Sequence, residues 1–188
     1  MNRLAVCLIG SSLLAGAVTA SAVELGDNVT LAADYVWRGK SQTDEEATIQ
    51  GGFDLTSESG FYGGIWASNV GFDGSIEVDY VVGIGNSITE SVSYDIHYVH
   101  YDYPNQPERQ PNSDFEEIDF SLTLAGVTGG VAYSNDFSGE TGTATYLYLD
   151  LDLSLPNEFG LTFHYGAQDI DAGGRLLRVV DFGEQEPV

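Results

Sequence analysis

The chain has 188 residues, and its 6 Lys+Arg against 29 Asp+Glu give a formal net charge of −23. So acidic a chain lacks the basic footprint that nucleic acid requires. Its 43% hydrophobic and 12% aromatic residues are far more than a disordered acidic chain carries. The length is that of one domain, and short runs of Val, Tyr, Thr and Leu set among 23 Gly point to an all-β fold.

In chain order, residues 1–22 read as a signal peptide. Arg3 precedes an apolar stretch, Leu4 to Val18, and Ala20-Ser21-Ala22 is an A-x-A cleavage signal. The stretch is short for a membrane anchor. Its removal leaves 166 residues, and the loss of Arg3 takes the charge to −24. Cys7 is lost with it, so disulfides, thiolate metal sites and cysteine nucleophiles are excluded from the mature chain.

From residue 29 onward the dominant signal is alternation with a period of two, which places successive side chains on opposite faces of a strand. The clearest case is Thr145–Leu155, with five leucines (147, 149, 151, 153, 155) on one face and Tyr146, Tyr148, Asp150, Asp152 and Ser154 on the other. Ser75–Ile84, Ser91–Tyr98 and Glu117–Leu124 follow the same rule, and Val29–Arg38, Ile49–Thr56, Phe61–Asn69, Val127–Ser134 and Leu161–Gly166 do so more weakly, which predicts nine strands. The links alternate in length. Gly39–Thr48, Tyr103–Glu116 and Asn135–Ala144 are long, whereas Ser57–Gly60, Asn86–Glu90, Ala125-Gly126 and Pro156–Gly160 are short. Long connections at one end of an up-and-down meander and tight turns at the other match the outside loops and periplasmic turns of a transmembrane β-barrel.

On this register nine acids occupy the polar strand face: Asp34, Asp54, Glu77, Asp79, Asp95, Glu117, Asp119, Asp150 and Asp152. In a barrel that face is the lumen, because lipid cannot solvate a carboxylate. Arg38 and Arg178 are the inward basic candidates. A pore lined by these nine acids and Arg38 favours cations and repels anions. The aromatic residues Tyr35, Trp37, Phe53, Phe61, Tyr80, Tyr94, Tyr98, Phe120, Tyr133, Phe163 and Tyr165 share the apolar face. The competing fold is a soluble two-sheet sandwich with its acids in water. Alternation alone does not separate the two.

Asp34-Tyr35-Val36-Trp37-Arg38-Gly39-Lys40-Ser41-Gln42-Thr43, Gln50-Gly51-Gly52-Phe53-Asp54 and Ser59-Gly60-Phe61-Tyr62-Gly63-Gly64-Ile65-Trp66-Ala67-Ser68-Asn69 resemble the TorF-type porin family, and Ile76-Glu77-Val78-Asp79-Tyr80 fits the same pattern. The resemblance is strongest over residues 29–84 and continues more weakly to about residue 171. It implies a bacterial outer-membrane β-barrel and a pore. The last residues depart from it. Residues 23–171 read as the barrel domain, and 172–188 as an atypical tail left by a truncated or frame-shifted end, or else as a tenth strand. Nine strands are awkward, since single-chain bacterial barrels close with an even number.

Other sites carry less chemistry. Glu77/Asp79 and Asp150/Asp152 each place two carboxylates on one face about 6.6 Å apart, a spacing suited to a divalent cation, to acid–base work or to plain solvation. Asp44-Glu45-Glu46 offers a loop cation site or a solvated loop. Arg38 near Asp34 fits a pore constriction or a structural ion pair. His97 and His164 share the inward face but lack metal-ligand spacing. No G-x-S-x-G, H-E-x-x-H or Walker A pattern is present, and neither enzyme activity nor a cofactor is expected. The expected role is passive diffusion of small cationic or neutral solutes, with outer-membrane lipid as the surrounding partner. The alternatives are a secreted or periplasmic soluble β-protein with a binding role, and a barrel enzyme or plugged structural barrel without conductance.

Overall fold

The alternating segments build one antiparallel sheet. The computed structural model describes residues 23–72, 75–104, 106, 111–154, 160–171 and 177–185. The expected signal peptide lies outside the described residues. β1 (Val23–Ala32) leads into a small hairpin, β2 (Val36–Trp37) and β3 (Lys40–Ser41). Then follow β4 (Thr48–Ser57), β5 (Phe61–Asn69), β6 (Ile76–Thr89), β7 (Val92–Asp102), β8 (Phe115–Leu124) and β9 (Val127–Ser134), and finally β10 (Ala144–Ser154), β11 (Gly160–Ile170) and β12 (Leu177–Gln185). The ten long strands pair in the order β1-β4-β5-β6-β7-β8-β9-β10-β11-β12, an up-and-down meander, and β1 and β12 are its two unpaired edges.

Three expectations are corrected. The first long strand is Val23–Ala32, not Val29–Arg38. The chain leaves the sheet at a bend at Ala33, followed by Asp34, whose carboxylate is held by Ser41 and Thr43, and the next residues pair locally as β2 and β3. The main sheet has ten strands among the described residues, not nine, since Leu177–Gln185 of the supposed atypical tail is the tenth strand of the alternative reading and pairs with β11 from Gln168↔Leu177 to Gly160↔Gln185. The sandwich is also corrected, because the long strands form a single sheet whose apolar face meets no second sheet among the described residues.

Two-residue turns with both central residues at positive φ match the right-handed twist of the strands they join. Ala125 (φ 50°) and Gly126 (φ 85°) close β8–β9 in this way, and Arg38 (φ 47°) and Gly39 (φ 72°) close β2–β3. The expected alternation of link length holds. The 33–47, 103–114 and 135–143 connections lie at one end, and the turns at 58–60, 90–91 and 125–126 at the other.

The polarity of the sheet is inverted relative to a water-soluble protein. On the outer face Leu31 is 80% exposed and Leu149 51%. On the inner face Glu77 is 2% exposed and Glu117 4%. Where the sheet does bury apolar side chains, it does so at the long-connection end. There Val70, Tyr103, Phe115, Phe137 and Ala144 form a cluster, with Tyr35, Trp37, Tyr101 and Ile170 packed against it. Tyr35 and Trp37 therefore face inward with the hairpin, not outward with the other aromatics.

Candidate functional site: the inner face and its hairpin plug

Strand register decides which inner side chains meet. Tyr62, Gly83, His97, Asp119, Ala132, Tyr146 and Gln168 lie in one row across β5 to β11. The next row runs Gly85, Asp95, Ser121, Gly130, Tyr148 and Gly166. Tyrosines alternate with glycine or alanine in these rows, so a phenol ring can lie down across its small neighbour and reach a carboxylate two strands away. Tyr62 crosses Gly83 and donates to both oxygens of Asp95 at 2.9 Å. Tyr148 crosses Gly130 and donates to Asp119 at 2.9 Å.

The deepest carboxylates are held in two ways. Glu77 accepts Tyr35 Oη on Oε1 and Tyr103 Oη on Oε2, each at 2.9 Å. Burial, reinforced by the Glu77 charge, pushes both phenols well above the usual tyrosine range, so they stay protonated and donate. Glu117 is held by Arg38 instead. The guanidinium forks onto both its oxygens at 2.9 and 2.8 Å, and Tyr101 adds a longer contact at 3.3 Å. Arg38 also lies over two rings, Trp37 at 4.3 Å and Tyr146 at 4.0 Å to their centroids. The hairpin tip is thus anchored across the inner face to β8 and β10 from a segment that also packs on β5 through Tyr35–Trp66.

A third arrangement runs toward the turn end. His164 Nδ1 lies 2.5 Å from Asp150 Oδ1, and its Nε2 lies 2.5 Å from Tyr146 Oη. One tautomer satisfies all three groups: the phenol donates to Nε2, and Nδ1–H donates to the carboxylate. His97 Nδ1 sits 2.7 Å from Asp95, which also takes Tyr62. Such carboxylate–imidazole–phenol chains can hold or relay a proton.

Of the ten residues expected to line a lumen, Arg38, Glu77, Asp79, Asp95, Glu117, Asp119 and Asp150 gather on the buried or half-buried inner face, and Asp54 and Asp152 sit toward the turn end, exposed. Asp34 does not join them. It stays in the first connection, where hydrogen bonds from Ser41 Oγ (2.6 Å) and Thr43 Oγ1 (2.7 Å) hold its carboxyl below the usual range. Arg38 pairs with Glu117 and not with Asp34. Asp44 and Glu45 sit in an exposed turn at φ 55° and 63°, and the described residues contain no group of three or more metal-ligating side chains. Arg178, the other inward basic candidate, lies on β12. Sequence reasoning missed the phenols as partners of the acids. The signal was present, in Tyr146 and Tyr148 on the acidic face beside inward glycines.

The chain is thus an all-β antiparallel meander with a polar interior face and an apolar exterior one. Residues 16–182 match the bacterial family Gcw_chp, described as a protein of unknown function, and the chain belongs to that family. No curated protein and no solved structure matches it.

Proposed function

We propose that the chain is an outer-membrane β-barrel protein with an acidic, cation-preferring interior. The observation that carries this reading is the inverted polarity, since leucines exposed on the outer face are costly in water and at home in lipid. Ten strands is an even number, which suits closure. Lipid cannot satisfy the free backbone groups of β1 and β12, so a membrane setting calls for a ladder between them. The resemblance to TorF-type porins leads to the same class. Fractionation tests the proposal. Recovery from outer membranes only with detergent, with gel mobility that changes on heating, supports it, and recovery from the soluble periplasm without detergent refutes it.

Whether the barrel conducts is a second question, and the hairpin bears on it. Arg38 bridges the interior to Glu117 and Tyr146, which favours a barrel closed at rest over an open diffusion pore. In planar bilayers the wild-type protein is then silent, and a variant with the hairpin released passes small cations in preference to anions. Steady wild-type conductance would instead support the passive pore.

A further inference from the structure

Between the hairpin and the long-connection rim lies a cleft of about 170 Å³. Its walls are six aromatic rings: Trp37, Phe72, Tyr101, Tyr103, Phe115 and Phe137. Glu77 is its most buried lining residue, and Lys40 stands exposed beside it. Pockets for drug-sized ligands run to roughly 300–1,000 Å³, so this one takes something smaller, of about five to seven heavy atoms at roughly 30 Å³ for each water-sized group.

Charge narrows the choice. Both oxygens of Glu77 accept phenol hydrogen bonds, as those of an ionised carboxylate do. Two residues along β6, Asp79 is 9% exposed and its Oδ1 has no hydrogen-bond partner. Its cross-strand neighbour is Tyr101, one of the cleft walls. Among the described residues the ion pairs are Arg38–Glu117 and three histidine–carboxylate contacts, and none reaches Glu77 or Asp79. Glu77 thus lines an aromatic cleft, with Asp79 behind its Tyr101 wall, and neither acid has a paired cation among the described residues. A hydrated metal ion needs several oxygen ligands, and the cleft is lined by one carboxylate whose oxygens are already engaged. Ring faces around a single negative charge suit an alkylated ammonium group instead.

We propose that this cleft binds a small organic cation of the alkylammonium class, with the rings as walls and Glu77 as counter-ion. The cleft is built by described residues of one chain, so the proposal stands whether or not the sheet closes in a membrane. Calorimetric titration of the folded protein tests it, with choline chloride as probe at constant ionic strength and 3,3-dimethylbutan-1-ol as its neutral isostere. Choline binds saturably, and the isostere binds about tenfold more weakly or not at all, the loss of a charged contact. Glu77→Gln weakens choline by about tenfold as well. Lys40→Met, at an exposed position, keeps the fold and removes a competing charge, so it tightens choline severalfold and leaves the isostere unchanged. This second variant decides the matter if Glu77→Gln does not fold. Equal binding of choline and isostere, absence of choline binding in both the wild type and Lys40→Met, or a Lys40→Met effect shared by the isostere would overturn the proposal.

Discussion

Removing Arg38 tests whether the hairpin is a structural plug or a loop resting on the sheet. Its side chain is 12% exposed and that of Glu117 4%, with two N–O contacts at 2.9 and 2.8 Å. Arg38→Met keeps an apolar stem between Trp37 and Tyr146 but leaves Glu117 with only the 3.3 Å contact from Tyr101. Stranding a buried charge costs about 3–5 kcal/mol, whereas losing an exposed pair costs about 1 kcal/mol or less. The pair here is of the first kind. In the double variant Arg38→Met/Glu117→Gln no charge is stranded and the Tyr101 phenol still has an acceptor. It is therefore less damaged than the single variant, with a coupling energy of about 2 kcal/mol or more. Denaturant unfolding followed by tryptophan fluorescence measures both, and the rate of tryptic cleavage after Lys40 reports hairpin release directly. A single-variant loss under about 1 kcal/mol, or a double variant no more stable than the single, would refute the plug.

Three further outcomes are expected. Gly130→Ala places a methyl group against the Tyr148 ring and pushes it off Asp119, costing about 1–3 kcal/mol. Gly129→Ala next to it meets only ordinary contact with Leu149 and stays within about 0.5 kcal/mol. Equal effects in denaturant melts would remove the phenol from the account. Leu149→Arg, on the outer face, costs about 2–4 kcal/mol in a bilayer but next to nothing in water, so reconstituted protein that tolerates it is not facing lipid. The folded pKa of Asp34 is depressed by the Ser41 and Thr43 hydroxyls, so its contribution is present above the unfolded value of about 3.9 and is lost as pH falls through the lower folded one. Asp34→Asn therefore flattens the acid limb of the unfolding midpoint below about pH 4, and parallel profiles for the two proteins would contradict this.

Much of the sheet was legible because a two-residue period survives in a single sequence. The boundaries of Phe61–Asn69 and Val127–Ser134 match the alternation as it stands in the sequence, and the faces of β6, β7, β8 and β10 fall on the predicted parity, since one side is apolar over residues 76–84, 92–98, 118–124 and 147–153. The first connection was not legible. Val29–Arg38 alternates well enough to pass for a strand, yet Asp34 breaks it by capturing two hydroxyls seven and nine residues later. That bend turns Tyr35 and Trp37 inward. β12 was obscured by weak alternation, and it is its pairing with β11 that identifies it as a strand. Partners across strands were beyond reach for a different reason. Parity tells that Asp150 and His164 share a face, but only the β10–β11 register sets them opposite each other.

The acidity that excludes nucleic acid is therefore not what organises the interior. A face with Glu77, Asp79, Glu117 and Asp119 each under 10% exposed would be intolerable if the acids met only one another. Arg38, held by its hairpin, neutralises one of them. Phenols serve Glu77, Asp95 and Asp119, and each such phenol has either an adjacent glycine to lie across or a position outside the long strands from which to reach in. Tyr62 and Tyr148 take the first route, and Tyr35 and Tyr103 the second. Asp79 is left with an unpartnered oxygen beside the aromatic cleft. Among the described residues the buried acids Glu77, Glu117 and Asp119 are thus each met by donors, and the one buried carboxylate oxygen left without any is Asp79 Oδ1, behind the Tyr101 wall of the cleft where a small cation gains most by entering.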